Sequence, residues 1–162
     1  KWRVIMCSRD IDNAKHALET EFDDHYFPRS NVDILQLDIT DKSSIQTATE
    51  YIKQCYSSKI NVLVNNAGIA FRSNQFNDSI VSQTINTNYY GTVNVTKSIS
   101  PLVSDRIFFI GSRAGALQQY SKERQDQLLS PDLDETQLSS LIEEYKSDIS
   151  GLNPEDFNDE IK

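Results

Sequence analysis

Four short apolar runs rich in β-branched residues punctuate the chain: Val4 to Ser8, Val32 to Ile39, Ile60 to Ala67 and Arg106 to Ser112. Each has the length of a buried strand. Between the first two, Ala14, Ala17, Leu18 and Phe22 recur at helical spacing. Asp10 and Asp12 precede this stripe, and either can accept from the free N–H groups of a helix start. Between the second and third runs, Ile45, Ala48, Ile52 and Cys55 form another stripe, with Asp41 placed to cap it. A mixed segment from about Asp78 to Ser100 supplies a third crossover, stopped at Pro101, which has no N–H to continue a helix. The predicted order is β-α-β-α-β-α-β. Strands apolar along their whole length and separated by helices imply α/β architecture with a parallel sheet. Beyond Ala116 only a weak stripe remains, Leu138, Leu141, Ile142 and Tyr145 within Glu135 to Lys146.

Length and composition narrow this picture. The chain has 162 residues, enough for one domain. No window approaches the roughly 18 continuous apolar residues of a membrane span, so no membrane association is expected. Cys7 and Cys55 stand in no CxxC pair, and one possible bridge is no disulfide framework, which favours a reducing, cytoplasmic setting. The net charge of −8 is uneven: residues 1–120 hold 12 acidic and 12 basic side chains, residues 121–162 hold 12 and 4. An acidic surplus argues against nucleic acid as a partner. His16 and His25 stand at no metal-ligand spacing, so no metal site is expected.

In an open parallel sheet, ligands bind beyond the carboxyl ends of the strands. The segments there are Ser8-Arg9-Asp10, Leu37-Asp38-Ile39-Thr40, VNNAG at Val64 to Gly68, TNYYGT at Thr87 to Thr92 and IGSRAG at Ile110 to Gly115. Asn88 follows Asn66 by 22 residues and Ser112 follows Asn88 by 24. This ordered set resembles the short-chain dehydrogenase/reductases, and among them the cytosolic carbonyl reductases, from Val4 to about Leu152. The resemblance implies a partial doubly wound, Rossmann-like sheet that binds NADP(H). It assigns Arg9, Leu37, Asp38, Asn66, Ala67 and Gly68 to the cofactor, and Asn88 and Ser112 to catalysis. Ser112 would hydrogen-bond the substrate carbonyl, and Asn88 would hold a helix kink and a water of the proton relay.

Residue chemistry bears on each assignment. Relatives preferring NAD carry an acid at the end of the second strand, where it would repel a 2′-phosphate; here Ser8 and Arg9 stand there, and a guanidinium suits a phosphate. Arg9 could instead pair with Asp10 or Asp12. Asp38 could cap the helix near Asp41, serve the adenine, or both. Amide side chains at Asn65 and Asn66 can tie adjacent loops together, and Gly68 lets backbone approach a ligand.

Two family features do not occur within the chain. No glycine precedes Gly68, so the Gly-rich pyrophosphate turn is missing. None of the seven tyrosines has a lysine four positions on, so the YxxxK proton donor is missing as well; in the resembling enzymes it would be expected past Lys162. The chain therefore reads as a fragment, with residues 1–120 a partial NADP-binding domain and 121–162 an acidic, partly helical insertion of that domain. In the doubly wound order the absent first strand lies between the second and fourth, so unpaired inner edges and poor autonomous stability are expected. The resemblance implies a monomer reducing small aldehydes, ketones or quinones. The alternative is a non-catalytic binding protein derived from the family; an extended nucleotide-sugar enzyme fits less well, because the segment after Ser112 resembles the carbonyl reductase insertion.

Overall fold

The structure, a computed structural model, describes residues 2–21, 23–57, 59–71 and 77–150. In chain order they form β1 (Val4–Ser8), α1 (Ile11–Thr20), β2 (Val32–Gln36), α2 (Lys42–Cys55), β3 (Ile60–Asn65), α3 (Asp78–Ile85), α4 (Thr92–Ile99), β4 (Val103–Phe109), α5 (Lys122–Leu128) and α6 (Glu135–Ser150). The α/β alternation is the expected one. Phe22, the last position of the first helical stripe, and the end of the insertion-like segment after residue 150 lie outside the described residues.

The helices begin where short polar side chains satisfy free N–H groups. Asp10 Oδ1 accepts from Asp12 N at 2.9 Å and Asn13 N at 3.0 Å, so Asp10 caps α1. Asp41 Oδ1 accepts from Ser43 N at 2.8 Å and caps α2. Beyond α2, Ser57 takes a left-handed conformation at φ 53° and turns the chain toward β3. Pro101 lies in a 3₁₀ turn, Ser100–Leu102, that ends α4.

Strand boundaries depart from the apolar runs. β2 stops at Gln36 because Leu37 N makes the last ladder bond, to Ser8 O at 2.9 Å, and Asp38 then folds its side chain back onto Thr40 N at 2.8 Å. β3 ends at Asn65, two residues before Ala67. β4 runs three residues ahead of expectation, taking in polar Ser104 and Asp105 and leaving Ile110 outside.

The sheet is divided. β1 and β2 pair in parallel, with Val4 opposite Val32 and Ser8 opposite Gln36, while β3 pairs with β4 in a separate two-stranded sheet. Among the described residues each inner strand, β1 and β3, has one ladder partner. This is the arrangement expected when the strand between them is missing.

The described residues fall into two compact units, one within Lys1–Ala67 and Asn86–Phe108, the other within Gly68–Ile85 and Phe109–Lys162. In the first, Leu35, Leu37 and Ile39 pack against Ile45, Ala48 and Ile52 of α2 and Val95, Ile99 and Leu102 of the α4 segment. Each of the larger side chains contributes about 1.5–3 kcal/mol by leaving water. In the second, α3 packs on α6, with Val81 and Ile149 buried.

Candidate functional site

The loops leaving β1 and β2 meet in the first unit. Ser8 Oγ donates to Asp10 O at 2.8 Å and accepts from Asp10 N at 3.2 Å, which fixes the turn holding Arg9. Gln36 Nε2 donates to Arg9 O at 3.3 Å and ties that turn to the end of β2. Asp10 caps α1 and Asp12 faces Lys15 at 3.6 Å; among the described residues Arg9 shows no ion pair with either, and it is exposed.

Asp38 stands next to it. Its Oδ1 accepts from Thr40 N at 2.8 Å and Thr40 Oγ1 at 2.7 Å, while its own N–H donates to Ser44 Oγ at 2.9 Å. These bonds from Thr40, with the nearby Arg9 charge as a smaller cause, hold the Asp38 carboxyl below the usual carboxylate range. The helix cap is Asp41, so Asp38 stiffens the turn rather than the helix. Leu37 is different in kind: its side chain is buried in the core, which leaves only its backbone to face a ligand.

At the end of β3 the two asparagines divide the work. Asn65 Nδ2 donates to Thr96 Oγ1 at 3.2 Å and anchors the strand to α4. Asn66 and Ala67 continue as exposed, extended chain. An apolar strand thus ends in Asn because one amide must cross to a neighbouring helix. Gly68 opens the second unit and is exposed.

Asn88 lies in a π-helical turn, Asn86–Gly91, that leads into α4. Such turns are rare and gather at functional sites. Tyr89 and Tyr90 stack edge to face beside it, ring centres 5.0 Å apart. Gly91 closes the turn under steric compulsion: a Cβ there would meet Ile39 Cγ1 at 2.9 Å and Ile39 O at 3.0 Å. Ser112 belongs to the second unit, where it is exposed and its carbonyl accepts from Gly115 N at 3.1 Å at the start of a 3₁₀ turn.

The structure therefore brings Arg9 and Asp38 together, sets Asn66, Ala67 and Asn88 in the same unit, and assigns Gly68 and Ser112 to the other. Sequence reasoning missed a polar cluster at the opposite, amino-terminal end of β1 and β2. Arg3 Nη2 donates to Asp33 Oδ1 at 2.6 Å, Arg3 Nε donates to Asp33 Oδ2, and Tyr56 OH donates to the same oxygen. These bonds hold the Asp33 carboxyl low, and burial first, then the bond to Asp33, pushes the Tyr56 phenol up to about 12. Thirty residues separate Arg3 from Asp33, and no local pattern joins them.

Residues 1–123 match the short chain dehydrogenase family. Mouse (Mus musculus) carbonyl reductase (NADPH) 3 is 30% identical over 151 residues, 90% of this chain and 53% of the relative. The chain spans about half the length of the curated relatives it matches. Menthone neomenthol reductase from Mentha piperita superposes with a TM-score of 0.75 at 24% identity, over 89% of this chain and 64% of that one. ElxO, solved with NADP bound, gives a TM-score of 0.56 at 26% identity, over 68% of this chain and 45% of that one.

Proposed function

The chain belongs to the short chain dehydrogenase family, and from that premise we propose that it forms the cofactor-side portion of an NADPH-dependent carbonyl reductase. The reaction is hydride transfer from the nicotinamide to an aldehyde, ketone or quinone carbonyl, carried out by a monomer in the cytoplasm. One observation carries the reading: an exposed guanidinium, Arg9, at the carboxyl end of β1 beside Asp38 at the carboxyl end of β2. An acid that would repel a 2′-phosphate is replaced here by Ser8, whose hydroxyl is engaged with Asp10. Arg9 suits the 2′-phosphate, and the Asp38 Oδ2 atom, left over from the Thr40 bonds, suits the adenine amine. The names of the mammalian relatives and the NADP-bound ElxO structure point the same way.

On this reading Asn88 and Ser112 act at the carbonyl end, with Ser112 hydrogen-bonding the substrate oxygen. No tyrosine with a lysine four positions on occurs among the 162 residues, so the proton donor is not theirs. This polypeptide alone is expected to bind cofactor weakly and not to turn over. A non-catalytic binding protein is the second reading, favoured by the divided sheet, which offers no continuous platform between β1 and β3.

The test is fluorescence titration of the chain with NADPH and with NADH, repeated on Arg9→Glu. A preference for NADPH that falls at least tenfold in the variant supports the cofactor reading. Equal affinity for both cofactors, or no binding at millimolar NADPH, overturns it and leaves the non-catalytic reading.

A further inference from the structure

An open groove of about 440 Å³ lies between α2 and α4 in the first unit. From α2 it takes a stripe of one helical face, Lys42 to Lys53, and from α4 it takes Asn94, Lys97 and Ser98, while Val95 and Ile99 of α4 turn into the core. None of the residues assigned to cofactor or catalysis lines it.

The charge of the groove runs against that of the chain. The 162 residues carry −8, whereas the groove sets three lysines against one glutamate, Glu50. Lys53 and Lys97 stand in the last turns of their helices, where the helix dipole favours a cation, and that accounts for them. Lys42 has no such reason. It opens α2, at the end of the dipole that repels a cation; the first turn holds no acidic residue, and the carboxylate of the preceding Asp41 is turned onto Ser43. Among the described residues the side chains of Lys42, Gln46, Asn94 and Ser98 have no protein hydrogen-bond partner, although Asn94 and Ser98 are half-buried.

We propose that this groove binds a small sugar or polyol phosphorylated at both ends. The anionic groups must be separated, because Lys42 and Lys53 stand eleven residues apart on one helix, about 16 Å along its axis, and Lys97 approaches from the other helix. Gln46, Asn94 and Ser98 supply the donors and acceptors that suit sugar hydroxyls. Phosphate is favoured over carboxylate, because the lining has ammonium groups and no guanidinium: an ammonium meets a phosphate as a point charge, whereas a planar carboxylate is matched by the arginine fork. An apolar ligand fits poorly, since Ile45, the one apolar residue of the lining, is 2% exposed. Glu50 opposes the ligand: it accepts from Lys53 Nζ at 2.7 Å and weakens the positive field a phosphate meets. A ligand held from both helices ties α2 to α4.

The experiment titrates the 162-residue chain with fructose bisphosphate, phosphorylated at both ends, and with two controls: fructose monophosphate, which has one charged end, and inorganic pyrophosphate, which has the charge without the span. Calorimetry reads affinity and amide chemical shifts read location. The groove predicts saturable binding of the bisphosphate, shifts concentrated in Lys42–Cys55 and Thr92–Ile99, and at least fivefold weaker binding of each control. Lys42→Gln and Lys97→Gln should each weaken bisphosphate binding at least fivefold while retaining the helical circular dichroism of the parent, and Lys97→Arg should keep it. Glu50→Gln should tighten binding at least twofold, a gain that misfolding cannot produce. Equal affinity for the bisphosphate and either control, affinity indifferent to the Lys42 and Lys97 variants, or no binding at millimolar bisphosphate would overturn the proposal. Arg9→Glu, which tests the carbonyl reductase reading, should leave bisphosphate affinity unchanged; a loss there would mean that the sugar phosphate occupies the cofactor side and would overturn the groove as its site.

Discussion

The two half-sheets of the first unit line one cleft of about 720 Å³, the first through β1 and the second through β3, and are secured in different ways. The β1–β2 pair has a five-rung parallel ladder, a polar cluster at one end through Arg3, Asp33 and Tyr56, and interlocked turns at the other through Arg9, Gln36 and Asp38. The β3–β4 pair relies on its own ladder, on Asn65 reaching Thr96 and on Ser104 Oγ donating to Ile60 O at 3.2 Å. Some of its apolar residues are open, with Val64 54% and Phe108 47% exposed. Local polar contacts can thus complete a half-sheet that has lost a neighbour on one side, and where they are few the strand ends remain bare. What the halves share is the α2–α4 core beneath them.

That shared core gives the most severe way to abolish the comparison. Ile52, 3% exposed on α2, belongs to the core with Leu35, Leu37, Ile39 and Val95, and it also lines the cleft between β1 and β3. Ile52→Ala is expected to cost about 2–5 kcal/mol, measured by urea unfolding, and to loosen amide protection in both strand pairs together. Loss confined to β1–β2 would show that the halves are independent. Gly91→Ala comes next. The new methyl would be driven into Ile39, including its carbonyl oxygen, at a cost of about 1–3 kcal/mol, against which the helix-propensity gain of about 1 kcal/mol counts only in part. The same urea measurement should register a net loss, larger in β2 protection than in β3.

The difference in polar anchoring also explains how far the sequence could be read. β1 was legible to the residue, Val4 to Ser8, because its apolar run and its hydrogen-bonded ladder coincide. β4 was not, because its ladder begins at Val103 and crosses Ser104 and Asp105, while the apolar run continues to Ile110 with no ladder beneath it. Arg9 and Asp38 could be anticipated as neighbours, since both follow adjacent strands at the same end of a parallel pair. The bond from Asn65 to Thr96 and the Arg3–Asp33–Tyr56 cluster could not, because each depends on residues brought together from distant positions. The π turn around Asn88 likewise has no periodic signature of its own.

Asn65→Ala sharpens the comparison at the weaker half. It removes one side-chain hydrogen bond and leaves the Thr96 hydroxyl partly buried, for an expected loss of about 0.5–1.5 kcal/mol. Exchange should quicken at the end of β3 with β1 and β2 unaffected. Equal quickening in both halves would mean that the anchor serves the α4 core rather than the strand.

The smallest effect is expected from the cluster on the stronger half, and pH isolates it. Asp33 is held low by the Arg3 hydrogen bonds and then by Tyr56. In the unfolded chain its carboxyl takes up a proton at ordinary acidity, near the reference value of about 3.9, whereas in the folded chain it resists. The unfolded state therefore binds more protons through this window, and stability rises with pH across it. The contribution is fully present above the unfolded value and disappears as pH falls through the folded one. Asp33→Asn should accordingly flatten the acid limb of a stability-against-pH curve by lowering stability on its neutral side, and by only a small amount, because Arg3 is exposed and water screens the pair. A residual acid limb should persist in the variant, since Asp38 and Asp41 are held low by Thr40 and Ser43 and belong to the same half. An unchanged acid limb in Asp33→Asn would place the whole acid dependence on those turn carboxylates, and would make the interlocked turns, not the cluster at the opposite end, the feature that distinguishes β1–β2 from β3–β4.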